Sequence, residues 1–313
     1  IIPYEIAVSF GVYQAEDGET NDIKQMLDFA NYAMRSAKTA AGGSCFLYDE
    51  QMRNKALLEQ GLEGRLAAAM EQGEFEAYYQ PKVDLATGKI GCAEALVRWQ
   101  SQAGAIIPPD RFIPVFERKY MIDRLDQYVY EEVCRWLRSL LDSGRNPLPV
   151  SVNVSRLQFY DQNFVDRYVS IRDQYAIPPE LLEVEFTESI AFDNTALLLQ
   201  TVARLKKAGF SCSIDDFGKG YSSLGLLKNL PIDVLKIDSL FFDEGPDRNK
   251  DMALVEGIID MVKKFDIRTV AEGIESMDQV EYLKRIGCDY VQGYVFYRPM
   301  PQSDYEALLI QEC

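Results

Sequence analysis

The sequence predicts an α/β fold: a (β/α)8 TIM-like barrel that follows a small α/β fragment at the N-terminus. Beyond residue 75, short apolar runs that each end on a polar residue alternate with helical segments, which is typical of parallel strands wrapped by helices. The polar residues that end these runs are Asn153, Glu185, Asp215, Lys236, Glu272 and Gln292. They recur at separations of about 20 to 36 residues, the length of a βα unit. Seven or eight such units close into a barrel more readily than into an open sheet.

Three regions divide the chain. Residues 1–50 contain a predicted strand at 4–14, a helix at 21–40 and a short strand at 44–50, which is too little sheet to stand alone. Residues 51–72 are rich in Ala, Leu, Glu and Lys and predict a connecting helix. We expect residues 73–313 to form the barrel.

The composition excludes several classes of function. The formal net charge is −16, whereas proteins that bind nucleic acid polymers present Lys and Arg to the phosphates. The 313 residues include no histidine, which excludes Ser-His-Asp and Cys-His nucleophilic machinery. The six cysteines form no CxxC pair and no zinc-like spacing. We therefore expect any acid–base work to fall to carboxylates, lysine or water.

The distribution of apolar residues bears on localisation. No apolar run approaches the roughly 20 residues of a membrane span, and no signal-peptide pattern opens the sequence. Reduced cysteines that pack like small apolar side chains are typical of cytosolic proteins. We expect a cytoplasmic chain without direct membrane contact, although a longer parent protein could be anchored through upstream segments.

Strand alternation predicts which polar side chains meet inside the barrel. In "LEVEFTE", Glu183 and Glu185 point inward. In "CSIDDFG", Asp215 points inward and Asp216 begins the loop. Catalytic groups of such barrels gather at the carboxyl ends of the strands. The predicted rim comprises Glu94, Asn153, Glu185, Asp215, Asp216 and Glu272, with Lys236 and Gln292 nearby.

This rim predicts a metal centre. Carboxylates that converge in a partly dry site cannot all stay ionised unaided, because like charges raise one another's pKa. Divalent cations resolve the conflict, and oxygen-only ligands suit Mg²⁺, Mn²⁺ or Ca²⁺. Two adjacent acids can serve two cations, with Asp215 as the bridge and Asp216 on one of them. Two metals about 3.5 to 4 Å apart suit in-line displacement at phosphorus by water.

Each of these residues alone also has a plainer interpretation. A single Glu or Asp at a strand end is more often a helix N-cap or a turn residue. The "GKG" after the Asp pair lacks the GxxxxGK[ST] frame of a phosphate-binding loop, and Arg98 could form a salt bridge within the barrel. The metal hypothesis therefore depends on the set as a whole.

Several long motifs resemble one known family. Residues 62–313 contain "YYQPKVDLATGKIGCAEALVRW", "SVNVSRLQF", "EFTES", "DDFGKGYSSLGLLKNLPIDVLKID", "VAEGIES" and "GCDYVQGYVFYRPMP". These motifs resemble the EAL domain of bacterial cyclic di-GMP phosphodiesterases, with the signature tripeptide at Glu94, Ala95 and Leu96. The resemblance implies a barrel with one irregular antiparallel strand near its start. It also implies hydrolysis of cyclic di-GMP to linear pGpG with two Mg²⁺ or Mn²⁺ ions, inhibition by Ca²⁺, and a homodimer.

The resemblance further implies roles for individual metal-binding and catalytic positions. The implied ligands of the first metal are Glu94, Asn153, Glu185 and Asp215, and those of the second are Asp215, Asp216 and Glu272. Lys236 is similar to the lysine that contacts the attacking water. The implied catalytic set comprises Glu94, Asp215, Lys236 and Glu272.

Substrate contacts and supporting residues are implied in the same way. Gln80, Arg98 and Gln292 resemble residues that line the substrate site, with Arg98 on a phosphate. Glu188 resembles the residue that anchors the loop after the Asp pair. Asp238 and Glu275 match positions that flank the ligands.

Residues 1–50 resemble the last third of a GGDEF diguanylate-cyclase-like domain through "VSFGVY", "ANYAMRSAK" and "YDEQM". The signature loop of that domain would lie upstream, so the fragment is assigned no activity. Two positions depart from the EAL pattern: Lys219 stands where a small residue is usual, and Tyr120 where a glycine is usual.

Three functions compete at this point. The first is an active phosphodiesterase, the second a receptor that binds cyclic di-GMP without cleaving it, and the third a scaffold that pairs with other domains. Degenerate members of the family lose metal ligands, whereas this sequence matches every one. The sequence therefore favours the enzyme.

Overall fold

The computed structural model describes residues 8–15, 22–39, 45–101, 104–188, 190, 194–218, 227–242 and 248–312. Lys219 and residues 4–7 of the first predicted strand lie outside the described residues. The chain forms two compact units, residues 1–68 and 69–313. The division falls inside the predicted connecting helix.

The first unit contains a parallel pair of short strands and a helix packed against them. Its elements are β1 (Phe10–Val12), α1 (Ile23–Thr39), β2 (Cys45–Leu47) and most of α2 (Glu50–Glu71). Gly11 is paired with Phe46, and a Cβ at Gly11 would meet the carbonyl oxygen of Ala30 at 2.0 Å. Only a glycine therefore lets α1 approach the strand this closely. Over the residues that the structure describes, each strand covers only three positions of its predicted range.

The second unit is a closed barrel of eight strands. Its strands are β3 (Phe75–Asp84), β4 (Ile90–Gln100), β6 (Val150–Asn153), β7 (Leu182–Thr187), β8 (Ser211–Phe217), β9 (Val234–Ile237), β10 (Arg268–Ala271) and β11 (Tyr290–Val291). They follow one another around the barrel in this order, and β11 pairs with β3 to close it. Strand β3 is antiparallel to β4 and β11, and the other neighbours are parallel. The predicted barrel is confirmed, including its antiparallel strand near the start.

Two further strands, which the sequence did not predict, extend this sheet. Strand β5 (Ile106–Ile107) pairs with β4, and β12 (Met300–Pro301) pairs with β3. Each has only two residues, too few for alternation to be visible in the sequence.

Helices follow the strands along the chain. They are α3 (Pro109–Arg118), α4 (Ile122–Asp142), α5 (Arg156–Phe159), α6 (Phe164–Gln174), α7 (Thr195–Lys207), α8 (Arg248–Lys263), α9 (Met277–Ile286) and α10 (Gln302–Glu312). Local signals set their ends. The Asn194 side chain accepts a hydrogen bond from the Leu197 amide at the start of α7, and Ser276 and Gln279 form a capping box on α9. Along the part of the chain that the structure describes, no helix combines the length and apolarity needed to cross a membrane.

Alternation along β7 separates an apolar layer from a polar interior. Val184 and Phe186 are buried in the apolar core, where the Phe186 ring lies 5.3 Å from that of Phe159 on α5. Glu183 and Glu185 point the other way and are also buried. Barrels of this class are commonly filled by branched apolar side chains. Here the interior contains the buried polar side chains of Lys82, Glu94, Ser151, Glu183, Glu185 and Lys236.

Tyr120 occupies a backbone conformation that suits glycine. It follows the end of α3 with φ +54° and is 77% exposed. Its amide donates to the Glu117 carbonyl at 3.1 Å, and the Met121 amide donates to the Phe116 carbonyl at 2.9 Å. These are the two hydrogen bonds of a Schellman motif, whose left-handed position favours glycine. The motif explains why a glycine is usual here.

We therefore expect Tyr120→Gly to raise the free energy of unfolding by about 0.5 to 1 kcal/mol, because it removes the steric cost of the left-handed conformation. Urea denaturation measures the change. Tyr160→Gly is the matched control, since Tyr160 is also exposed but has φ −84° and should gain no stability. A Tyr120→Gly protein that unfolds at lower urea than the wild type would contradict this account.

Candidate metal centre

Carboxylates from four barrel strands converge at one end of the barrel. Among the described residues, two groups have ligand oxygens within 4.8 Å of one another: Glu94, Glu185 and Asp215, and Asp215, Asp216 and Glu272. Asp215 belongs to both groups. Glu185, Asp215, Asp216 and Glu272 lie at or next to the carboxyl ends of their strands, as the barrel prediction requires, whereas Glu94 lies in the middle of the long strand β4. The geometry thus provides two adjacent all-oxygen sites that share one acid.

A bulge explains how two consecutive aspartates reach the same cluster. In a regular strand, neighbouring side chains point to opposite faces. The pairing of β8 with β9 shifts register between Ile214 and Phe217, and Asp216 has φ +58°. Aspartate is one of the few residues other than glycine that visit this conformation. The bulge therefore brings Asp216 beside Asp215 instead of leaving it on the outer face.

The backbone after the Asp pair is held in place. Gly218 has φ +106°, and a Cβ there would lie 2.0 Å from the ring of Phe241. The carboxylate of Glu188 accepts a hydrogen bond from the Gly218 amide at 3.1 Å. Glu188 thus fastens the end of β8, in the place where the sequence predicts an anchoring residue.

Lys236 lies at the centre of the acidic cluster. Its Nζ is 2.6 Å from Glu185 Oε2, 2.8 Å from Glu272 Oε1, and 3.1 Å from both Glu94 Oε2 and Asp215 Oδ1. Burial lowers the pKa of Lys236, but these carboxylates outweigh it and hold the pKa well above its ordinary value. A single buried ammonium therefore joins members of both groups.

A second buried lysine, Lys82 on β3, contacts Glu185 of the same cluster from the barrel interior. Its Nζ donates to Glu185 Oε1 at 2.6 Å and to Ser151 Oγ at 2.9 Å, and lies 3.7 Å from Glu183 Oε1. Sequence reasoning missed Lys82. The signal was available, since Lys82 is two residues beyond Gln80 and alternation puts both on one face.

Acids outnumber lysines in this interior. Six carboxyl groups gather here: Glu94, Glu183, Glu185, Asp215, Asp216 and Glu272. Among the described residues, Lys82 and Lys236 form salt bridges with five of them, all but Asp216. Burial is the main cause that raises the pKa of Glu94, Glu183 and Glu272. Burial also acts on Glu185, but the two lysines overcome it and lower its pKa to about 2. The excess of four acids matches the charge of two divalent cations.

Neutral side chains complete the wall of the site. Asn153 Nδ2 donates to Glu94 Oε1 at 2.6 Å, and Gln292 Nε2 donates to Glu94 Oε2 at 2.8 Å. Gln292 also donates to Gln80 Oε1 at 3.0 Å, and Gln80 donates to the Tyr297 carbonyl at 3.1 Å. These amides fix both oxygens of the glutamate in the signature tripeptide.

A cavity of about 760 Å³ opens onto this cluster. Its walls include the predicted site residues Gln80, Glu94, Asp216, Asp238, Glu272, Glu275 and Gln292. Leu96 and Tyr294, which sequence reasoning did not assign, line it as well. Arg98 is placed differently, because its guanidinium lies 5.7 Å from the ring centroid of Tyr78 and donates to its neighbour's carbonyl. The cavity has room for a ligand far larger than a metal ion.

Comparison with known families settles the class of the barrel. The EAL domain family matches residues 63–299. The chain belongs to the EAL domain family. This match begins after the N-terminal fragment, so a GGDEF-like origin of residues 1–50 stays a prediction.

Curated relatives of this EAL chain include three bacterial proteins. NbdA of Pseudomonas aeruginosa, named a cyclic di-GMP phosphodiesterase, is 36% identical over 94% of this chain and 37% of its own length. MucR of the same organism, named a bifunctional diguanylate cyclase and cyclic di-GMP phosphodiesterase, is 35% identical over 95% of this chain and 43% of its own. YkoW of Bacillus subtilis, named a signalling protein, is 33% identical over 98% of this chain and 38% of its own length. The chain spans about two fifths of the length of these relatives.

Solved structures give the same family. The PaMucR phosphodiesterase in complex with c-di-GMP matches with a TM-score of 0.74 and 36% identity, over 78% of this chain and 99% of that one. The cAMP-bound form of the EAL enzyme Bd1971 matches with a TM-score of 0.74 and 29% identity, over 83% of this chain and 73% of that one. The barrel described above is thus that of an EAL domain.

The raised pKa values of Glu94 and Glu272, caused mainly by burial, make stability depend on pH. Each acid takes up its proton more readily in the folded chain than in the unfolded chain. Its contribution to stability is complete below the ordinary glutamate value of 4.5 and is lost as the pH rises through the raised pKa. We expect the metal-free protein to lose stability over this range and Mn²⁺ to restore it. The rise in melting temperature on adding Mn²⁺ should then be larger at pH 8 than at pH 5.5.

Thermal unfolding followed by circular dichroism, after dialysis against a chelator, measures this difference. Glu281, an exposed residue on α9, provides a control in Glu281→Gln, which should behave as the wild type. A Mn²⁺-induced shift of equal size at both pH values would contradict the coupling between these carboxyl groups and the cation.

Proposed function

We propose that this EAL domain is a metal-dependent phosphodiesterase that hydrolyses cyclic di-GMP to linear pGpG. The observation that carries the proposal is the excess of buried acids around Lys236, an arrangement that two divalent cations would neutralise. The relatives NbdA and MucR and the complex of PaMucR with c-di-GMP support the choice of substrate. The overall change adds water across one P–O bond, so that phosphorus gains a hydroxyl oxygen and the released ribose oxygen gains a proton.

The residues present fit Mg²⁺ or Mn²⁺. Every donor is an oxygen, and the two groups of acids share Asp215. Glu94, Asn153, Glu185 and Asp215 would hold one ion, and Asp215, Asp216 and Glu272 the other. When bound, the ions would supply Lewis acidity toward the phosphoryl oxygens and toward water. We expect Ca²⁺, which prefers more ligands at longer distances, to inhibit by displacing them.

The chain's own side chains would orient the substrate and the water. Lys236 is the buried cation nearest the shared acid, at 3.1 Å from Asp215 Oδ1, and would donate a hydrogen bond to the attacking water. Gln80 and Gln292 already fix Glu94 and border the cavity, where they would contact the ligand. Arg98, at the end of β4, would meet a phosphate at the cavity edge.

Three acids would support this arrangement from outside the ligand set. Glu188 holds the Gly218 amide, and Asp238 accepts from the Leu240 amide at 2.9 Å next to the cavity wall. Glu275 also lines the cavity, beside the α9 capping box. We propose that Glu188 anchors the β8 loop and that Asp238 and Glu275 shape the entrance.

A receptor that binds without cleaving is the second candidate, and one observation favours it. The Lys236 ammonium joins carboxylates of both groups, so it could hold these side chains around a bound ligand. The two candidates differ in one assay. A receptor would bind cyclic di-GMP in the presence of Mg²⁺ and leave it intact, whereas the enzyme would release pGpG.

We further propose that residues 1–50 are the C-terminal part of a GGDEF-like domain, joined by a helix at 51–72 to a barrel at 73–313. One face of the β1–β2 pair is covered by α1, while Phe10, Val12 and Leu47 are exposed. Parallel sheets are normally covered on both faces. The proposed localisation is the cytoplasm, where cyclic di-GMP would be encountered.

A homodimer is also proposed, formed through helices and the loop near the Asp pair; residues 219–226 of that loop lie outside the described residues. Sedimentation velocity at rising protein concentration should show the mass of two chains. Monomers alone at high concentration, with full activity, would remove this proposal.

Glu94→Gln tests the phosphodiesterase directly. It removes one acid while keeping the shape of the side chain, and we expect kcat to fall about a thousandfold because several kcal/mol of charge stabilisation are lost. Chromatography of the products formed from cyclic di-GMP, with Mg²⁺ and with a chelator, measures turnover. Glu281→Gln should match the wild type, and a Glu94→Gln rate within threefold of it would contradict the assignment.

A further inference from the structure

The two oxygens of Glu185 are held by two different lysines. Lys82 Nζ lies 2.6 Å from Oε1, and Lys236 Nζ lies 2.6 Å from Oε2. Glu185 is 0% exposed and Lys82 only 1%, so water does not compete for either contact. The orientation of this carboxylate is therefore set by the two ammonium groups.

The two lysines differ in their other partners. Lys236 also contacts Glu94, Asp215 and Glu272, all of them candidate ligands. Among the described residues, Lys82 contacts Ser151, Glu183 and Glu185 and no other member of the candidate ligand set. Lys236 thus occupies the middle of the cluster, while Lys82 lies on its inner side.

This difference decides which oxygen of Glu185 is available to a cation. Oε2 faces the ammonium that Glu94 and Asp215 share, so it faces the group that would hold the first ion. A cation held by that group would be bound by Oε2, which Lys236 also contacts. Oε1 would remain paired with Lys82, because Glu185 is the candidate ligand that Lys82 contacts.

We propose that Lys82 is a positioning residue that holds Oε1 of Glu185 and so keeps Oε2 directed at the first cation. The inference rests on the proposed metal-dependent function. Without Lys82, Glu185 would turn both oxygens toward Lys236. A cation would then have to displace Lys236 from a stronger ion pair in order to bind Glu185. Lys82 then acts only through Glu185 and touches neither substrate nor cation.

A purely structural role for Lys82 predicts something different. A buried ion pair that loses one partner usually destabilises the protein strongly. In that case, removing Lys82 would lower the melting temperature without changing cation affinity. The two roles therefore separate in a binding measurement.

Lys82→Met tests the proposal, because methionine keeps most of the side-chain volume and removes the charge. Val184→Ala is the matched control: Val184 lies between Glu183 and Glu185 on the same strand, is fully buried, and faces the apolar core. The double variant Lys82→Met/Glu183→Gln removes one charge of each sign and guards against loss of folding. All are prepared as the full chain and dialysed against a chelator.

Mn²⁺ titration followed by electron paramagnetic resonance gives the readout, with thermal unfolding alongside. The wild type should bind two ions, and both Lys82→Met proteins should bind one of them at least tenfold more weakly. Val184→Ala should melt earlier yet bind Mn²⁺ as the wild type does.

Wild-type affinity for both ions in the two Lys82→Met proteins would overturn the inference and leave the phosphodiesterase proposal standing. A wild-type protein that binds no Mn²⁺ would overturn both.

Discussion

Excess negative charge inside a closed barrel is the constraint on which this structure depends. Six acids share the interior with two lysines, and the four carboxylates around Lys236 lie between 2.6 and 3.1 Å from its Nζ. Buried charges of one sign are costly unless a partner neutralises them. Lys236 neutralises only part of this negative charge, because one ammonium group cannot balance four carboxylates. The arrangement is consistent with a site that receives cations. The amides that hold Glu94 and the hydrogen bond from the Gly218 amide to Glu188 maintain the positions of the acids.

The barrel fold makes this concentration of charge possible. Parallel strands place their carboxyl ends at one rim, so residues far apart in sequence meet there. The antiparallel strand β3 contributes Gln80 to the rim and Lys82 to the layer below it. The bulge in β8 adds a second acid where a regular strand would supply one. Amides from Asn153 and Gln292 hold Glu94. Stability is thus given up at the centre of the barrel, and the apolar layer between strands and helices maintains the fold around it.

Much of the fold and of the candidate site could be predicted from the sequence, and the exceptions have physical causes. Apolar runs that end on Asn153, Glu185, Asp215 and Glu272 show an alternation of apolar and polar residues that can be recognised in a single sequence. Lys82 was missed because lysine is rarely buried unless it is paired, and its partners Ser151 and Glu185 lie 69 and 103 residues away. Asp216 was expected at the loop, since alternation cannot foresee a bulge. Tyr294 and Leu96 line the cavity, but nothing in their local pattern distinguishes them from core residues. The two-residue strands β5 and β12 show no alternation of their own in the sequence.

We propose that paired cations balance these acids. The most direct measurement is anomalous diffraction at the manganese edge from crystals soaked in Mn²⁺. We expect two peaks about 4 Å apart or closer, with the Lys236 ammonium moved from the centre. One peak should lie beside Glu94, Asn153, Glu185 and Asp215, and the other beside Asp215, Asp216 and Glu272. Crystals without anomalous peaks, in which Lys236 still contacts all four carboxylates, would contradict it.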